Sequence, residues 1–386
     1  MHNTHHSKMF ARRLIGKQTN SQEQQSVLAK LKFIRDRRWS RAQKLGLLQT
    51  YKSPSRVYAA GLGKLRQTVG DLQTNDAKVS DQRLQLDLQW LSQPGHNLVM
   101  LGESAYPALL NEISDPPIAL FAIGNLSLIN EPKIAVVGSR RPTPIGAQIT
   151  SRLASGLAEL GIVVTSGMAL GVDAIAHQAA LDVGQATVAV MACGLDLVYP
   201  QRHRRLFDEI ANKGLAISEY PPGVPATKYA FPQRNRIVSG VSYGVLIVEA
   251  AERSGTLITA RLAAEQNREV MVVPGSSLSA QYHGSHRLLR QGAALTSSID
   301  DIMFCLNGPL QKFCGRPGDA PQQNTIPVAD ADTKTLLKYI GYESTSMDSL
   351  IISSGLTAAE VCAMLVTLEL QGVVAIASDG GYINLT

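Results

Sequence analysis

Three stretches of this chain carry side chains able to hold an anion. The first is Ile134–Gly146, IAVVGSRRPTPIG. Four apolar residues there, Ile134 to Val137, run into Gly138-Ser139-Arg140-Arg141 and then into a helical pattern. A strand that opens through glycine into a helix leaves backbone N–H groups unsatisfied at the helix start, and these attract anions. Guanidinium forks match phosphate oxygens, so Arg140 and Arg141 favour phosphate; the alternative is a plain turn with solvated arginines. The second stretch, Lys228–Arg236 (KYAFPQRNR), has three cations, two aromatics and no acid. Cations that take phosphates beside rings that stack bases suit single-stranded nucleic acid. Equally, Tyr229 and Phe231 could be core, with Arg234 and Arg236 in structural ion pairs. The third stretch is Ser254-Gly255-Thr256, a second anion-binding turn with hydroxyl donors at the start of a helix. The turns at Gly138 and Gly255 could face one ligand. Neither GxGxxG nor GxxxxGK[ST] is present, which excludes the dinucleotide fingerprint and the Walker loop.

Candidates for catalysis are weaker. Asp173 and His177 fall one helical turn apart and could hydrogen-bond, but no nucleophile accompanies them, and Asp173 reads better as a helix cap. Cys193, at a strand end, reads as a small core residue. Glu249 with Thr256 could suggest nucleotide hydrolysis, a reaction that also needs a positioned base and a sugar–phosphate pocket. His2, His5 and His6 have no further ligand cluster, and cysteines 193, 305, 314 and 362 lack CxxC spacing. No catalytic residue, metal ligand or cofactor is therefore expected.

The elements that must position these residues alternate in type. Strands are expected at Ile134–Val137, Ile162–Thr165, Thr187–Met191, Leu215–Ser218, Gly244–Val248 and Glu269–Val273, with helical segments between most of them. That alternation predicts a mostly parallel doubly wound sheet, α/β in class. Ligands of such sheets bind beyond the carboxyl ends of the strands, where the Gly-rich stretches fall. Residues 84–133 read as a helix and then an extended, turn-rich lead into this sheet.

Around this core, residues 1–26 read as a disordered tail, 27–83 as basic helices and linker, 84–306 as the core domain and 307–327 as a Gly/Pro-rich linker. Gly61-Leu62-Gly63-Lys64 weakly suggests a helix–hairpin–helix turn. Residues 328–386 give three helices and a hairpin, a winged-helix pattern. One helix opens on the capping box Thr357–Glu360 and turns Val361, Met364, Leu365 and Leu368 to one face. That helix has no Lys or Arg, so protein contact is as good a reading as DNA contact.

The 386 residues are 45 % hydrophobic and 18 % charged, with net charge +6. Residues 1–66 hold 15 Lys and Arg against 2 acids, net +13, which leaves −7 on the other 320. A basic amino-terminal region on an acidic body suggests a polyanion partner or, alternatively, a solvated arm. No run of about 18 apolar residues exists to span a membrane, and the start lacks a signal-peptide core, so a cytoplasmic location is expected.

From Gly102 to Asp301 the chain resembles the DprA/Smf family of DNA-processing proteins. The resemblance lies in YPALL, DPPIALFAIGNL, IAVVGSRRPTPIG, TSGMALGVDAIAH, ACGLDLVYP, SEYPPG, FPQRNRIVSG, VEAAERSGTLITAR and VPGS, in that order. It implies an extended Rossmann-like domain that binds single-stranded DNA without cleaving it. By the same resemblance the protein protects incoming strands in natural transformation, helps load the RecA recombinase and dimerises through the Rossmann-like domain. The carboxy-terminal domain looks like the family's winged-helix-like domain, and the amino-terminal region is loosely similar to its small helical domain. Carried over by motif, the DNA contacts would be Gly138, Ser139, Arg140, Lys228, Phe231, Arg234 and Asn235, with Ser254, Gly255 and Thr256 in support. Departures are Ile145, where the family often has tyrosine, and His203, where asparagine is usual.

Overall fold

The computed structural model describes residues 21–70, 79–306, 336–342, 344–377 and 379–385. The amino-terminal helices are α1 (Ser21–Arg35), α2 (Arg41–Tyr51), α3 (Pro54–Ala59), α4 (Leu62–Val69) and α5 (Asp81–Leu91). Helix α1 thus takes in the last six residues of the expected tail. The expected linker is helical to Val69, and only its residues 71–78 lie outside the described residues.

A nine-stranded sheet follows. Its strands are β1 (His96–Met100), β2 (Ala119–Gly124), β3 (Lys133–Val137), β4 (Val163–Ser166), β5 (Thr187–Met191), β6 (Leu215–Ser218), β7 (Gly244–Ile247), β8 (Glu269–Val272) and β9 (Ala294–Leu295). The spatial order is β1-β2-β6-β5-β4-β3-β7-β8-β9. From β6 to β9 every pair is parallel, and β2 runs antiparallel to both β6 and β1. The six strands expected from the sequence are β3 to β8. The turn-rich lead also contains strands, because a chain that folds back on itself needs no crossover helix to pair. Phe121 of β2 is fully buried, worth about 1.5–3 kcal/mol.

Helices α6 (Ala108–Asn111), α7 (Pro144–Glu159), α8 (Val172–Asp182), α9 (Arg204–Lys213), α10 (Ala230–Gly240), α11 (Thr256–Glu265), α12 (His283–Arg290) and α13 (Ile299–Cys305) complete the core domain. They cover both sheet faces. Ile134 and Val136 of β3 pack with Leu153, Leu157 and Ala176 from α7 and α8. Ala135 and Val137 turn the other way, toward Ile237, Val238 and Ala260 from α10 and α11. Burial on both faces is why these strands read as unbroken apolar runs. Lys133, also buried, donates its Nζ to the carbonyls of Ile129 (2.9 Å) and Glu131, and burial brings its pKa down to about 7.

The amino-terminal helices do not close on themselves. Phe33, Trp39, Leu47 and Val57 pack with Met100 of β1 and Ala119 of β2, and Leu31 with Leu84 and Phe121. Toward the carboxyl end, α14 (Met347–Ser354), α15 (Ala358–Leu370) and the hairpin β10 (Val374–Ile376)–β11 (Tyr382–Asn384) share a core with Leu336 and Ile340. The capping box Thr357–Glu360 forms, and Val361, Leu365 and Leu368 are buried. The expected linker 307–327 and the three tail histidines lie outside the described residues. Among the described residues, no single helix is long and apolar enough to cross a membrane.

Candidate functional site

From β3 the chain winds outward through β4, β5 and β6, then returns to place β7 on the other side of β3. Such a reversal leaves a crevice at the carboxyl ends of the two central strands. A cleft of about 600 Å³ opens there, lined by Gly138, Arg140, Lys228, Phe231, Arg234, Asn235, Ser254, Gly255 and Thr256 among others. Nine of the ten expected contact residues therefore meet at one place, and the two glycine turns do share one space.

The Gly138 turn is shaped by its neighbours. A Cβ on Gly138 would sit 2.7 Å from Val172 Cγ2, and one on Gly171 (φ 76°) only 2.4 Å from the Ser139 carbonyl oxygen. Ser139 is the expected contact that does not line the cleft. Its hydroxyl accepts the Arg141 N–H at 3.1 Å and its carbonyl accepts Val172 N–H at 3.1 Å, so it shapes the turn. Thr256 Oγ1 donates to the Gly138 carbonyl (3.1 Å), Ser254 Oγ donates to Thr256 Oγ1 (2.9 Å), and the two turns are thereby joined.

Arg140 is exposed, with its guanidinium carbon 5.7 Å from the centre of the Phe231 ring. Phe231 in turn lies 5.5 Å from the ring of Tyr199, which is 54 % exposed. A guanidinium and two mutually tilted rings thus cluster at the cleft edge. Tyr199 was not a candidate from sequence; the available signal was its position in the loop after β5. Lys228 is exposed at the cleft.

Arg234 behaves differently from the expected free fork. It is buried, and its Nη1 donates to the carbonyls of Gly167 and Val190 (2.5 Å to the latter), while Nε donates to Asn235 Oδ1 (3.2 Å). Burial lowers its pKa, yet an arginine stays charged. It forms a fixed positive charge in the cleft floor. Opposite it, burial pushes the Asp173 pKa up against the pull of Arg234. Asp173 Oδ2 accepts the N–H groups of Gly167 (3.1 Å) and Ala169 (3.2 Å). Gly171 is the residue at the cap of α8. Asp173 thus serves the loop before that helix by giving these two amides an acceptor.

The Asp173–His177 bond does not form. His177 is fully buried with Nδ1 2.8 Å from Thr187 Oγ1. Burial, reinforced by Arg234, lowers its pKa to about 3. Cys193 is buried, burial raises its pKa to about 11, and it is an inert thiol at neutral pH. Glu249 is separated from Thr256 in role. Its buried carboxylate accepts the Thr143 N–H (3.1 Å), the Thr143 hydroxyl and the Tyr282 hydroxyl (3.0 Å), and it does not line the cleft. A Cβ on Gly146 would overlap it. The glycine lets this carboxylate sit against the first turn of α7, where the helix dipole favours negative charge. Arg236 pairs with Glu219 and Asp115 (3.3 Å), the structural alternative weighed from sequence. Among the described residues, no three His, Cys, Asp or Glu side chains are grouped to hold a metal.

The model of the family described as DNA recombination-mediator protein A matches residues 97–307, and that of the DprA winged helix domain matches residues 320–380. Protein Smf of Escherichia coli K12 is 39 % identical over 306 residues, 78 % of this chain and 81 % of the relative. DNA processing protein DprA of Streptococcus pneumoniae is 45 % identical over 201 residues, 52 % of this chain and 71 % of the relative. Among solved structures, DNA processing protein A of S. pneumoniae superposes with a TM-score of 0.61 at 33 % identity, covering 72 % of this chain and 97 % of the other. The Helicobacter pylori protein, whose structure concerns its single-stranded DNA binding mode, gives 0.50 at 35 % identity, covering 55 % and 95 %.

Proposed function

This chain belongs to the DprA/Smf family of DNA recombination-mediator proteins, and from that premise we propose that it binds single-stranded DNA in the cleft between β3 and β7 without cleaving it. The bound strand is protected and passed to the RecA recombinase in natural transformation or recombination, with two copies associating through their Rossmann-like domains. The observation that carries the reading is the cleft edge: exposed Arg140 over the Phe231 ring, beside exposed Lys228. Arg140 and Lys228 take phosphates, and Phe231 offers a base about 1–3 kcal/mol of stacking whatever its identity. Buried Arg234 fixes a positive charge in the cleft floor that attracts phosphate without reading sequence.

Nucleotide hydrolysis is the poorer fit. Glu249 is spent on Thr143 and Tyr282, and Asp173, the carboxylate at the cleft, is bound to two backbone amides. Neither is a base positioned for an attacking water.

The deciding measurement is fluorescence anisotropy of a labelled oligo-dT with wild type and Arg140→Ala. Tight, salt-sensitive binding that falls at least tenfold in the variant is expected, the loss of one charged contact of about 1.5–3 kcal/mol. Equal or tighter binding to blunt duplex would overturn the proposal. So would failure to bind at low salt, and phosphate release from a nucleotide panel would then restore the hydrolase.

A further inference from the structure

Among the cations of the amino-terminal helices, Arg35, Arg41 and Arg83 are committed inside the protein, while Lys32, Arg37, Lys52, Arg56, Lys64 and Arg66 are exposed. Arg35 of α1 and Arg83 of α5 both donate to the Pro222 carbonyl, Arg35 Nη2 at 2.7 Å. Both also meet the buried carboxylate of Asp87 on α5. Arg35 grips it through Nε and through Nη2 (2.7 Å to Oδ1), and Arg83 Nη2 lies 3.4 Å from Oδ1. The next residue, Gly223 (φ 78°), comes so close that a Cβ would sit 2.6 Å from the Arg83 terminal nitrogens. Its N–H donates to Asp196 Oδ1 at 2.7 Å, which pins the turn from the other side. Four residues before Gly223, Glu219 accepts from Arg41 at the start of α2 (3.1 Å) and from Arg236 of α10. Arg41 and Arg236 also share Asp115, at 2.8 and 3.3 Å.

The stretch held in this way, residues 219–223, is the base of the loop that brings Lys228 to the cleft and leads into α10, which carries Phe231. Resting on the single-stranded DNA reading above, we propose that Arg35, Arg41 and Arg83 brace this loop, so that the amino-terminal helices position the DNA cleft. A guanidinium fork engaged with a buried carboxylate and a carbonyl is not free for a phosphate. The loop is otherwise long and exposed from Thr227 to Tyr229, and each residue left loose must be ordered again on binding. A brace at its base removes part of that cost before DNA arrives.

The test uses the full chain with Arg83→Gln, Lys228→Ala and the double variant. Asp87 keeps Arg35 in Arg83→Gln, so no buried charge is orphaned. Arg41→Gln repeats the experiment from a different helix should Arg83→Gln not fold. Oligo-dT affinity is measured across a salt titration, and hydrogen exchange of residues 223–229 is followed without DNA. Arg83→Gln is expected to exchange faster and to bind about fivefold more weakly, one hydrogen bond's worth, at an unchanged logarithmic salt slope. Lys228→Ala is expected to lower that slope by about 0.7. The double variant should bind about as weakly as Lys228→Ala alone. A slope that falls in Arg83→Gln would make Arg83 a phosphate contact and overturn the brace; so would additive losses or unchanged exchange. A wild type that binds no DNA overturns the function proposed above, while exchange still decides the brace.

Discussion

Burial decides what each charged side chain near the cleft can do. Arg140 and Lys228, exposed, keep their donors for a ligand; Arg234, buried two residues before Arg236, gives its donors to backbone carbonyls. His177 carries the clearest measurable consequence. Its folded pKa of about 3 lies below the usual 6.5, so the unfolded chain binds a proton that the folded chain refuses. Its contribution to stability is complete above about pH 6.5 and is lost as pH falls toward 3, by up to about 1.4 kcal/mol per pH unit. Thermal midpoints between pH 7 and 5 are therefore expected to fall less in His177→Gln than in wild type. Residue types told much of this site from sequence: the glycine turns at Gly138 and Gly255, with the cations and aromatics of KYAFPQRNR, pointed to the cleft. What sequence did not reveal is which arginine faces outward, because that depends on the two carbonyls, of Gly167 and Val190, that come to meet Arg234.

At the scale of elements, the site is a set of strand ends whose loops rest on one another. The Gly138–Arg140 turn leans on Gly171, where a Cβ would strike the Ser139 carbonyl and the left-handed φ adds strain. Gly171→Ala should thus weaken oligo-dT binding while leaving Lys228 untouched, and lower the thermal midpoint by the equivalent of about 1–3 kcal/mol. Unchanged affinity would mean the turn does not need its present shape. Strands β3 to β8 were legible because burial on both faces gives continuous Val, Ile and Ala runs. Strands β1 and β2 were hidden by prolines and glycines that flank them, and β9 by having two residues. The antiparallel pairing of β2 with β6 is a long-range choice that no local pattern encodes.

For the whole molecule, charge segregation looked like a nucleic-acid arm on an acidic body. In the fold, Lys30, Arg35, Arg38 and Arg41 find carboxylates within the protein, Lys32, Arg37, Lys52, Arg56, Lys64 and Arg66 stay exposed, and the helices sit on the β1–β2 edge. A chain cut to residues 97–306 would bare Phe121, Met100 and Ala119 to water. It is expected to self-associate in light scattering and to bind oligo-dT more weakly than the full chain. Equal affinity in a monomeric fragment would show that the edge needs no cover.

The cleft also has a timetable. Its walls come from residues near 138, 230 and 256, and they meet only when Ile134 of β3 pairs with Gly244 of β7. At about 5–20 residues per second, a ribosome needs several seconds between delivering the first wall and the last. Through that interval the emerging polypeptide carries its phosphate-seeking arginines without a shaped place to use them. The cleft is therefore expected to take its shape late and in one step, once the segment through Thr256 has joined the sheet.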